Sequence, residues 1–566
     1  MAIVGAGLSL ILLAVLAWLL VIIYRAPFRA LAVLVAGMAF HNIVLMFLIH
    51  LDTPSILVRL VQSWKEGVLL LLLFIAGRLA WRAWREHRLP RLNWLDWTMI
   101  AFAALSCIYL VIPQGFFPID TSLGQRFVSF RVMMLMPLLY AFGRIFWRYS
   151  REDLVWTGRV LLGSILPVAL FGLWELWFVP TADWLDWGVN GFTSWLGFEF
   201  GGPHGLPENF FQSTDAGLLL RRMMSTYISP LGLAYTGLLL VPVCAVLVSY
   251  RKAERALPGW FRWTAFVLLI SSILFSVTRG ALIVMVAEFG LLALLLRRMR
   301  TIVAGGMVAL AVVFILIEYA NFGPLLTFKL QEVRPPVGLA AVRYVSTALA
   351  PPIRSVPPVI PTIGAGQSNP GQGSAGQSTP TPPANVTSSA ELVERMLTSE
   401  DPSTRGHIAA LKAGANYVVK YPLGTGLGSS VPRFGYAEGP GESALLAVFG
   451  ELGVIGGLLY TIMYGASLVY SYLAWRRVRG DPLPEGLALV PLVGGLALVP
   501  IMITSAIWGN FSVSFLFWWT SGLCLSLVRQ PRVNTMTTAL KGTEKQQAPE
   551  GEPESEEYRM ALPHTV

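Results

Sequence analysis

The sequence predicts an all-α polytopic membrane protein with about 12–13 transmembrane helices and one large extracytoplasmic loop. Hydrophobic residues make up 55% of the 566 residues and charged residues only 13%, whereas about 25% of the residues of an ordinary soluble domain are charged. Apolar runs of about 20 residues, enough to cross roughly 30 Å of hydrocarbon, recur along most of the chain. Helices are expected because a helix satisfies its own backbone hydrogen bonds in lipid.

The apolar runs divide the chain into regions. The predicted spans are 3–24, 30–51, 66–84, 95–113, 127–146, 154–178, 226–249, 261–278, 280–297, 302–320, 444–474, 486–507 and 511–528. We expect the first span to be a retained helix, because no basic segment precedes it as in a signal peptide. The resulting regions are N-terminal helices (1–113), core helices (114–320) with an outer loop (179–225), a large loop (321–443), C-terminal helices (444–528) and a tail (529–566).

Basic residues between the spans predict the orientation in the membrane. If the spans alternate, six clusters fall on one side: Arg25/Arg29, Arg78/Arg82/Arg85/Arg88/Arg91, Arg144/Arg148/Arg151, Arg251/Lys252/Arg255, Arg297/Arg298/Arg300 and Arg476/Arg477/Arg479. The positive-inside rule makes that side cytoplasmic, so the large loop is extracytoplasmic and the C-terminus cytoplasmic. The same rule accounts for most of the net charge of +10, and nucleic acid is not an expected partner. We expect a multi-pass protein of the inner (plasma) membrane in contact with membrane lipids.

Two segments have compositions that disfavour a packed core. Residues 351–389 are rich in Pro, Gly, Ser, Thr and Gln, and residues 529–566 include an acidic stretch, so both are predicted to be disordered. Cys107, Cys244 and Cys524 fall within predicted spans, which indicates neither a disulfide framework nor a zinc site.

The segment before the last three spans contains a predicted helix and a glycine-rich turn. Asp401 and Pro402 are typical of a helix start, and the helix should end before Pro422. The turn that follows contains Gly426 and Gly428, whose uncovered N–H groups suit anionic oxygens, so both are candidate substrate-binding residues. A tight turn that simply requires glycine is the alternative.

Arginines on the predicted outer side are candidate ligands of an anionic substrate. The set comprises Arg126, Arg131, Arg221, Arg222, Arg279, Arg405 and Arg433. A guanidinium group matches phosphate oxygens bidentately, so a ring of these arginines around an outer cavity would bind a diphosphate. Alternatively, they reach the outer headgroups or pair with acids such as Glu175, Glu208 and Asp215.

Few other residues are candidates for a catalytic or substrate-binding role. Glu442 precedes a predicted span and is either a general base or a helix cap. His407 is a candidate substrate-binding residue, or else a solvated or packed helix residue, and Glu288 is interpreted as a buried polar contact. No group of His, Asp and Glu has the spacing of metal ligands, so no metal or other cofactor is expected.

Three pieces of the chain resemble the O-antigen ligase and polymerase family of bacterial inner-membrane glycosyltransferases. They are RRMMSTYISPLGLA at 221–234, SVTRGALIVMV at 276–286, and the region from Arg405 to Tyr460 with its PLGTGLGS turn and its GELGVIGGLLY stretch. The resemblance covers about residues 120–528. It implies transfer of a glycan from an undecaprenyl-diphosphate-linked oligosaccharide to a glycan or lipid acceptor, without metal.

The resemblance also implies roles for individual residues. Arg222, Arg279 and Arg405 would contact the diphosphate or hold the loop. Ligases of the family have a histidine base before the helix that follows the loop, whereas this chain has Glu442 followed by Ser443. The acidic residue favours a polymerase, with Glu442, Arg279 and Arg405 as the catalytic residues.

Three classes of function therefore stay open at the level of sequence. The first is a glycosyltransferase, either a polymerase or a ligase to a lipid or protein acceptor. The second is a non-catalytic transporter of lipid-linked glycans, in which the arginines bind but do not react. The third is a membrane scaffold whose outer loop binds partners.

Overall fold

The computed structural model has the predicted all-helical membrane architecture. It describes residues 1–87, 91–196, 206–213, 219–250, 257–325, 402–430 and 443–529, except for the side chains of residues 208, 213 and 402–407. Within this part of the chain, 12 helices are long and apolar enough to cross a membrane, and Gly259–Phe275 is a shorter apolar helix. The prediction of about 12–13 spans is confirmed.

The helices follow one another with short connections except around the two long loops. In chain order they are α1 (Ala2–Arg25), α2 (Ala30–His50), α3 (Ser55–Gln62), α4 (Trp64–Arg85), α5 (Trp94–Val111), α6 (Leu123–Ile145), α7 (Arg151–Phe178), α8 (Thr181–Asp186), α9 (Val189–Leu196), α10 (Pro230–Ser249), α11 (Gly259–Phe275), α12 (Arg279–Leu296), α13 (Met299–Phe322), α14 (Pro402–Lys420), α15 (Ala444–Val478), α16 (Pro482–Thr504) and α17 (Phe511–Arg529). Two short antiparallel strands, β1 (Phe211–Ser213) and β2 (Leu219–Arg221), form a hairpin between α9 and α10.

The predicted limits differ from the observed ones mainly at the outer loop and in α15. The loop at 179–225 holds two short helices and the hairpin, which apolar periodicity alone did not predict. Helix α15 is kinked at Gly453, whose φ of 69° lies in the left-handed region. The predicted helix after Asp401 is confirmed as α14, which ends two residues before Pro422.

Polar side chains define several helix starts within the bundle. Asn93 and Asp96 form a capping box at α5, and Ser122 and Gln125 form one at α6. Such a box satisfies backbone N–H groups that have no partner inside the helix. The helices that carry the predicted arginines therefore begin at defined residues.

One end of the bundle, here called the basic end, holds described residues from several of the predicted basic clusters. Arg29 pairs with Asp153 at 2.7 Å, and Arg151 lies 3.7 Å from Asp481. The guanidinium of Arg298 lies 3.7 Å from the centre of the Tyr250 ring. The Tyr250 hydroxyl also donates to Glu485 at the start of α16. Arg29, Arg151 and Arg298 therefore lie at the same end of the bundle, as the alternation of the spans predicts for their clusters.

The opposite end, here called the loop end, holds the hairpin and the segments around α14. The N–H of Met223 donates to the carbonyl of Phe275 at 2.9 Å, and the N–H of Ala444 donates to that of Ser505 at 3.1 Å. The Tyr109 hydroxyl donates to the carbonyl of Leu423 at 2.5 Å. Three hydrogen bonds thus link segments of the loop end in pairs.

Glycine allows α6 and α17 to approach closely in the middle of the bundle. A Cβ atom at Gly143 would lie 1.9 Å from the carbonyl oxygen of Trp519, and one at Gly522 would lie 2.0 Å from that of Tyr140. Small residues at such crossings let helix backbones pack without an intervening side chain. This crossing supports α6, which carries Arg126 and Arg131 to the loop end.

We predict that Gly522→Ala destabilises the protein, because its methyl group would overlap the backbone of α6. Overpacking of this kind costs about 1–3 kcal/mol, which thermal unfolding of the detergent-solubilised protein would report as a lower Tm. Gly290→Ala is the control, because a Cβ at Gly290 has no neighbour within 4 Å. Equal Tm values for the two variants would contradict the close crossing.

Candidate functional site

Arg222 and Arg279 meet at the turn between α11 and α12. Nε of Arg222 donates to the carbonyl of Ser276 at 2.8 Å, and Nη2 donates to the hydroxyl of Thr278 at 2.7 Å. Thr278 is also the N-cap of α12, whose first residue is Arg279. One turn therefore holds both arginines that the sequence predicted to act together.

The backbone of this turn adopts an uncommon conformation. Val277 has a φ of 47°, although a β-branched residue rarely adopts the left-handed region. Ile228, six residues after Arg222, has a φ of 51°. Strained backbone of this kind is concentrated at functional sites, where it fixes the direction of neighbouring groups.

Gln212 on β1 orients Arg279. With its amide placed so that the oxygen faces the guanidinium, Gln212 accepts from Nε at 2.7 Å and from Nη2 at 2.8 Å. The amide nitrogen then donates to the carbonyl of Val277 at 3.1 Å. The hairpin thus fixes one edge of the Arg279 side chain against the turn.

The charge of Arg222 is not balanced by a carboxylate among the described residues. Its described hydrogen-bond partners are a carbonyl and a hydroxyl, and Arg222 is 8% exposed. Burial lowers the pKa of Arg222 to about 10, and the charge of nearby Arg279 acts in the same direction. This pKa still leaves Arg222 cationic at neutral pH, so the pair suits an anionic ligand.

Arg221 differs from its neighbour because it is buried against an acid. Its Nη2 pairs with Oε2 of Glu175 at 2.9 Å, and its Nη1 donates to the carbonyl of Val179. Glu175 also accepts from the N–H of Met224 at 2.8 Å. The structure therefore favours the pairing interpretation for Arg221 and places it inside the fold, away from the predicted role in substrate binding.

Arg126 is also held by structural partners. Its Nη2 donates to the carbonyls of Tyr109, Leu110 and Ile112 at 2.7, 2.7 and 2.6 Å. These carbonyls end α5, where backbone acceptors lack partners within the helix. Arg126, predicted to bind substrate, thus joins the start of α6 to the end of α5.

The glycine-rich turn binds an anionic group that belongs to the protein itself. The N–H groups of Gly428 and Ser430 donate to the carboxylate of Glu451, the latter at 3.3 Å. The hydroxyls of Ser129 and Ser430 also donate to that carboxylate. The turn therefore suits anionic oxygens, as predicted, but Glu451 fills the position expected for substrate.

The three glycines are required by close contacts with the kink in α15 and with α6. Gly424, Gly426 and Gly428 have φ values of 80°, 90° and 87°. A Cβ at Gly428 would lie 2.8 Å from the backbone of Gln125, and the N–H of Gly426 donates to the carbonyl of Glu451 at 3.2 Å. The tight-turn alternative holds, and substrate binding by Gly426 and Gly428 is not what their contacts indicate.

The remaining candidates are described only in part. Glu442 and Arg433 lie outside the described residues, and Arg405 and His407 are described by their backbone in α14 alone. Ser443 is the N-cap of α15, and its hydroxyl accepts from the N–H of Leu446 at 3.1 Å. Ser443 therefore provides the cap that was the alternative role for Glu442.

Hydrogen bonds connect the start of α15 to the neighbourhood of Arg222. The Ser443 hydroxyl donates to the carbonyl of Met502 at 3.3 Å, and the hydroxyls of Ser505 and Tyr235 lie 3.1 Å apart. Tyr235 is close enough to Arg222 to influence its charge. The residue that follows Glu442 is thus linked to the arginine pair through α16 and α10.

Arg131 lies in a different cluster from the pair. It is half-exposed, lies 3.5 Å from Glu66 and stacks over the ring of Phe511. Of the seven predicted arginines, the described side chains bring Arg222 and Arg279 together and place Arg126, Arg131 and Arg221 elsewhere.

Gln212, Tyr235 and Glu451 are site residues that the sequence did not identify. Glu451 lies in the GELGVIGGLLY stretch, and the glycines around it indicate close packing. Gln212 lies in a loop without periodicity, and no pattern singles it out. Within the described residues, no group of three or more His, Cys, Asp or Glu could hold a metal ion.

Neither a family model nor a curated protein sequence matches this chain. Its function is therefore inferred from its residues and their contacts, together with the resemblance of its motifs.

We predict that Arg221→Met destabilises the protein by about 3–5 kcal/mol, because it leaves the Glu175 charge buried without a cation. Adding Glu175→Gln should recover much of this loss, because the amide oxygen still accepts from the N–H of Met224. Thermal unfolding of the single and double variants measures the difference. A double variant that is less stable than Arg221→Met would contradict the pairing.

We predict that Glu451→Ala releases the glycine-rich turn, because Gly428, Ser430 and Ser129 lose their acceptor. Each hydrogen bond to a charged group contributes about 1.5–3 kcal/mol. Hydrogen exchange of residues 421–430 should therefore become faster.

Glu318→Ala is the control, because Glu318 is bound to Asn321 at an exposed position of α13. Equal exchange in the two variants would show that Glu451 does not hold the turn.

Proposed function

We propose that this protein is a glycosyltransferase acting at the extracytoplasmic face of the membrane, of the O-antigen polymerase and ligase type. It moves a glycan from an undecaprenyl-diphosphate-linked donor onto an acceptor. The acidic residue before Ser443 favours a growing glycan as acceptor, that is, polymerisation. Ligation to a lipid or protein acceptor is the alternative product of the same chemistry.

The observation that carries this proposal is the Arg222–Arg279 pair. The Ser276 carbonyl and the Thr278 hydroxyl hold the Arg222 side chain, and the Gln212 amide oxygen accepts from two nitrogens of Arg279. Two adjacent guanidinium groups match the oxygens of a diphosphate and keep their charge at neutral pH. Their contacts also fix their direction before a ligand arrives, which is how preorganised charge stabilises a departing anion.

The reaction requires these groups to stabilise charge on the leaving diphosphate. The acceptor hydroxyl oxygen bonds to the anomeric carbon of the donor glycan, and the bond from that carbon to the diphosphate oxygen breaks. Undecaprenyl diphosphate leaves with the bonding electrons beside Arg222 and Arg279. The hydroxyl proton goes to the carboxylate of Glu442, which acts as general base.

The position of Glu442 in the chain supports this role. Ser443 caps α15, so Glu442 is not needed as the cap. By the motif resemblance, Arg405 would complete the diphosphate site from α14.

The position of the basic end supports the proposed orientation of the protein in the membrane. Because basic clusters are retained in the cytoplasm, the basic end is cytoplasmic and the loop end is extracytoplasmic. The arginine pair would then face the compartment where lipid-linked glycans are assembled into polymers.

We predict that Arg279→Gln lowers kcat by about 10²–10³-fold, as does loss of one donor to a developing anion in other enzymes. Arg279→Lys should retain part of the activity, because lysine keeps the charge but not the bidentate geometry. The assay is glycan lengthening by the purified protein in nanodiscs supplied with a lipid-diphosphate-linked oligosaccharide. Glu442→Gln should likewise abolish lengthening.

Arg148→Gln is the control, because Arg148 stacks on Trp147 at the basic end. A transporter would move the lipid-linked glycan across the bilayer without changing its length. Full activity of Arg279→Gln, or unchanged glycan length with the wild-type protein, would overturn the proposed function.

A further inference from the structure

A second cationic cluster lies at the loop end between α2, α4, α6 and α17. It consists of Lys65, Glu66, Arg131 and Phe511. Nζ of Lys65 lies 5.7 Å from the centre of the Phe511 ring, and Cζ of Arg131 lies 5.0 Å from it. Both cations face one carboxylate, since each lies 3.5 Å from Oε1 of Glu66.

Arg131 is the exposed member of this cluster. Its side chain is 52% exposed, and its only described polar partner is Glu66. It lies eight residues inside α6, about 12 Å from the start of the helix by the rise of 1.5 Å per residue. A charged side chain at such a position is costly in lipid and is found facing a polar cleft.

Lys65 is the buried member and acts on Arg131 through Glu66. Its side chain is 8% exposed, and its Nζ also lies 3.2 Å from the carbonyl of Gln62. Lys65 and Arg131 share the single carboxylate of Glu66, so the cluster carries one net positive charge. Lys65 is a positioning residue, and Arg131 is the group that can touch a ligand.

This cluster lies beside the first arginine site without being part of it. Phe511 follows Asn510, whose side-chain amide donates to the carbonyl of Gly232 at 3.0 Å in the first turn of α10. Tyr235, one turn further along α10, is the neighbour of Arg222. The start of α10 thus stands between two cationic sites at the same end of the bundle.

We propose that Arg131 binds an anionic group of the acceptor while Arg222 and Arg279 hold the diphosphate of the donor. This inference rests on the proposed function and deepens it. Two lipid-linked substrates each carry a diphosphate, so a second cationic site fits polymerisation, in which a lipid-linked glycan is also the acceptor. An acidic sugar of the acceptor would present the same chemistry, a carboxylate to a guanidinium group.

The first test measures binding of farnesyl diphosphate to the full-length protein in detergent. If Arg131 binds the acceptor's diphosphate, the wild-type protein should bind two molecules, and Arg131→Gln and Arg279→Gln should each bind one. Arg131 is half-exposed, so its replacement should not prevent folding. Arg59→Gln is the matched control, because Arg59 is an exposed arginine of the same end that stacks over Trp195 at 5.1 Å.

The second test separates the two sources of the anion. Arg131→Gln should raise KM for the acceptor about tenfold while kcat and KM for the donor stay within about twofold of the wild-type values. Lys65→Met should raise the same KM. If the effect persists with an acceptor of neutral sugars on a lipid diphosphate, the bound group is the diphosphate; if it requires a uronic acid, the bound group is that sugar.

The outcomes distinguish this inference from the proposed function. Unchanged acceptor KM in an active Arg131→Gln enzyme, or binding of two farnesyl diphosphates by that variant, would overturn the second site. Suppose that the wild-type protein binds two diphosphates but lengthens no glycan, and that Arg131→Gln binds one diphosphate. The second site then stands and the proposed function fails.

Discussion

Every charged group inside a helical bundle needs a polar partner, and the rest of this structure depends on how each buried charge finds one. A cation within hydrocarbon is costly unless it pairs with a carboxylate, donates to backbone carbonyls or faces a polar cleft. Arg221 forms a salt bridge with Glu175, and Arg126 donates hydrogen bonds to the carbonyls that end α5. Among the described residues, Arg222 donates only to a carbonyl and a hydroxyl, so its charge is available to an anionic ligand. The partners of the arginines therefore separate structural positions from candidate ligand positions.

The same constraint attaches the large loop to the bundle. On the side that enters the loop, the Tyr319 hydroxyl donates to the carbonyl of Arg221 at 2.6 Å. On the side that leaves it, the N–H of Thr425 donates to the carbonyl of Gly450 at 2.8 Å, beside the Glu451 carboxylate. Both attachments use groups buried at the loop end. The described residues on both sides of the loop are thus anchored in the bundle.

Sequence reasoning predicted the spans well because hydrocarbon thickness imposes a length on each apolar run. The motif resemblance grouped Arg222, Arg279 and Arg405, and the first two of these have their contacts at one turn. Sequence reasoning could not separate Arg221 from Arg222, because adjacent residues of an irregular segment have no periodicity that assigns their direction. The glycine turn was predicted either to bind anionic oxygens of a substrate or to be a simple tight turn. Its contact with Glu451 is tertiary, and no local pattern indicates it.

The central claim is that the guanidinium groups of Arg222 and Arg279 hold the diphosphate of a lipid-linked glycan at the loop end. The most direct measurement is an experimental structure of the protein in nanodiscs with a non-reacting lipid-diphosphate glycan. The account predicts diphosphate density in contact with both guanidinium groups, beside the Ser276–Thr278 turn. Density for the lipid diphosphate only at the basic end, or on the lipid-facing surface away from this turn, would contradict it.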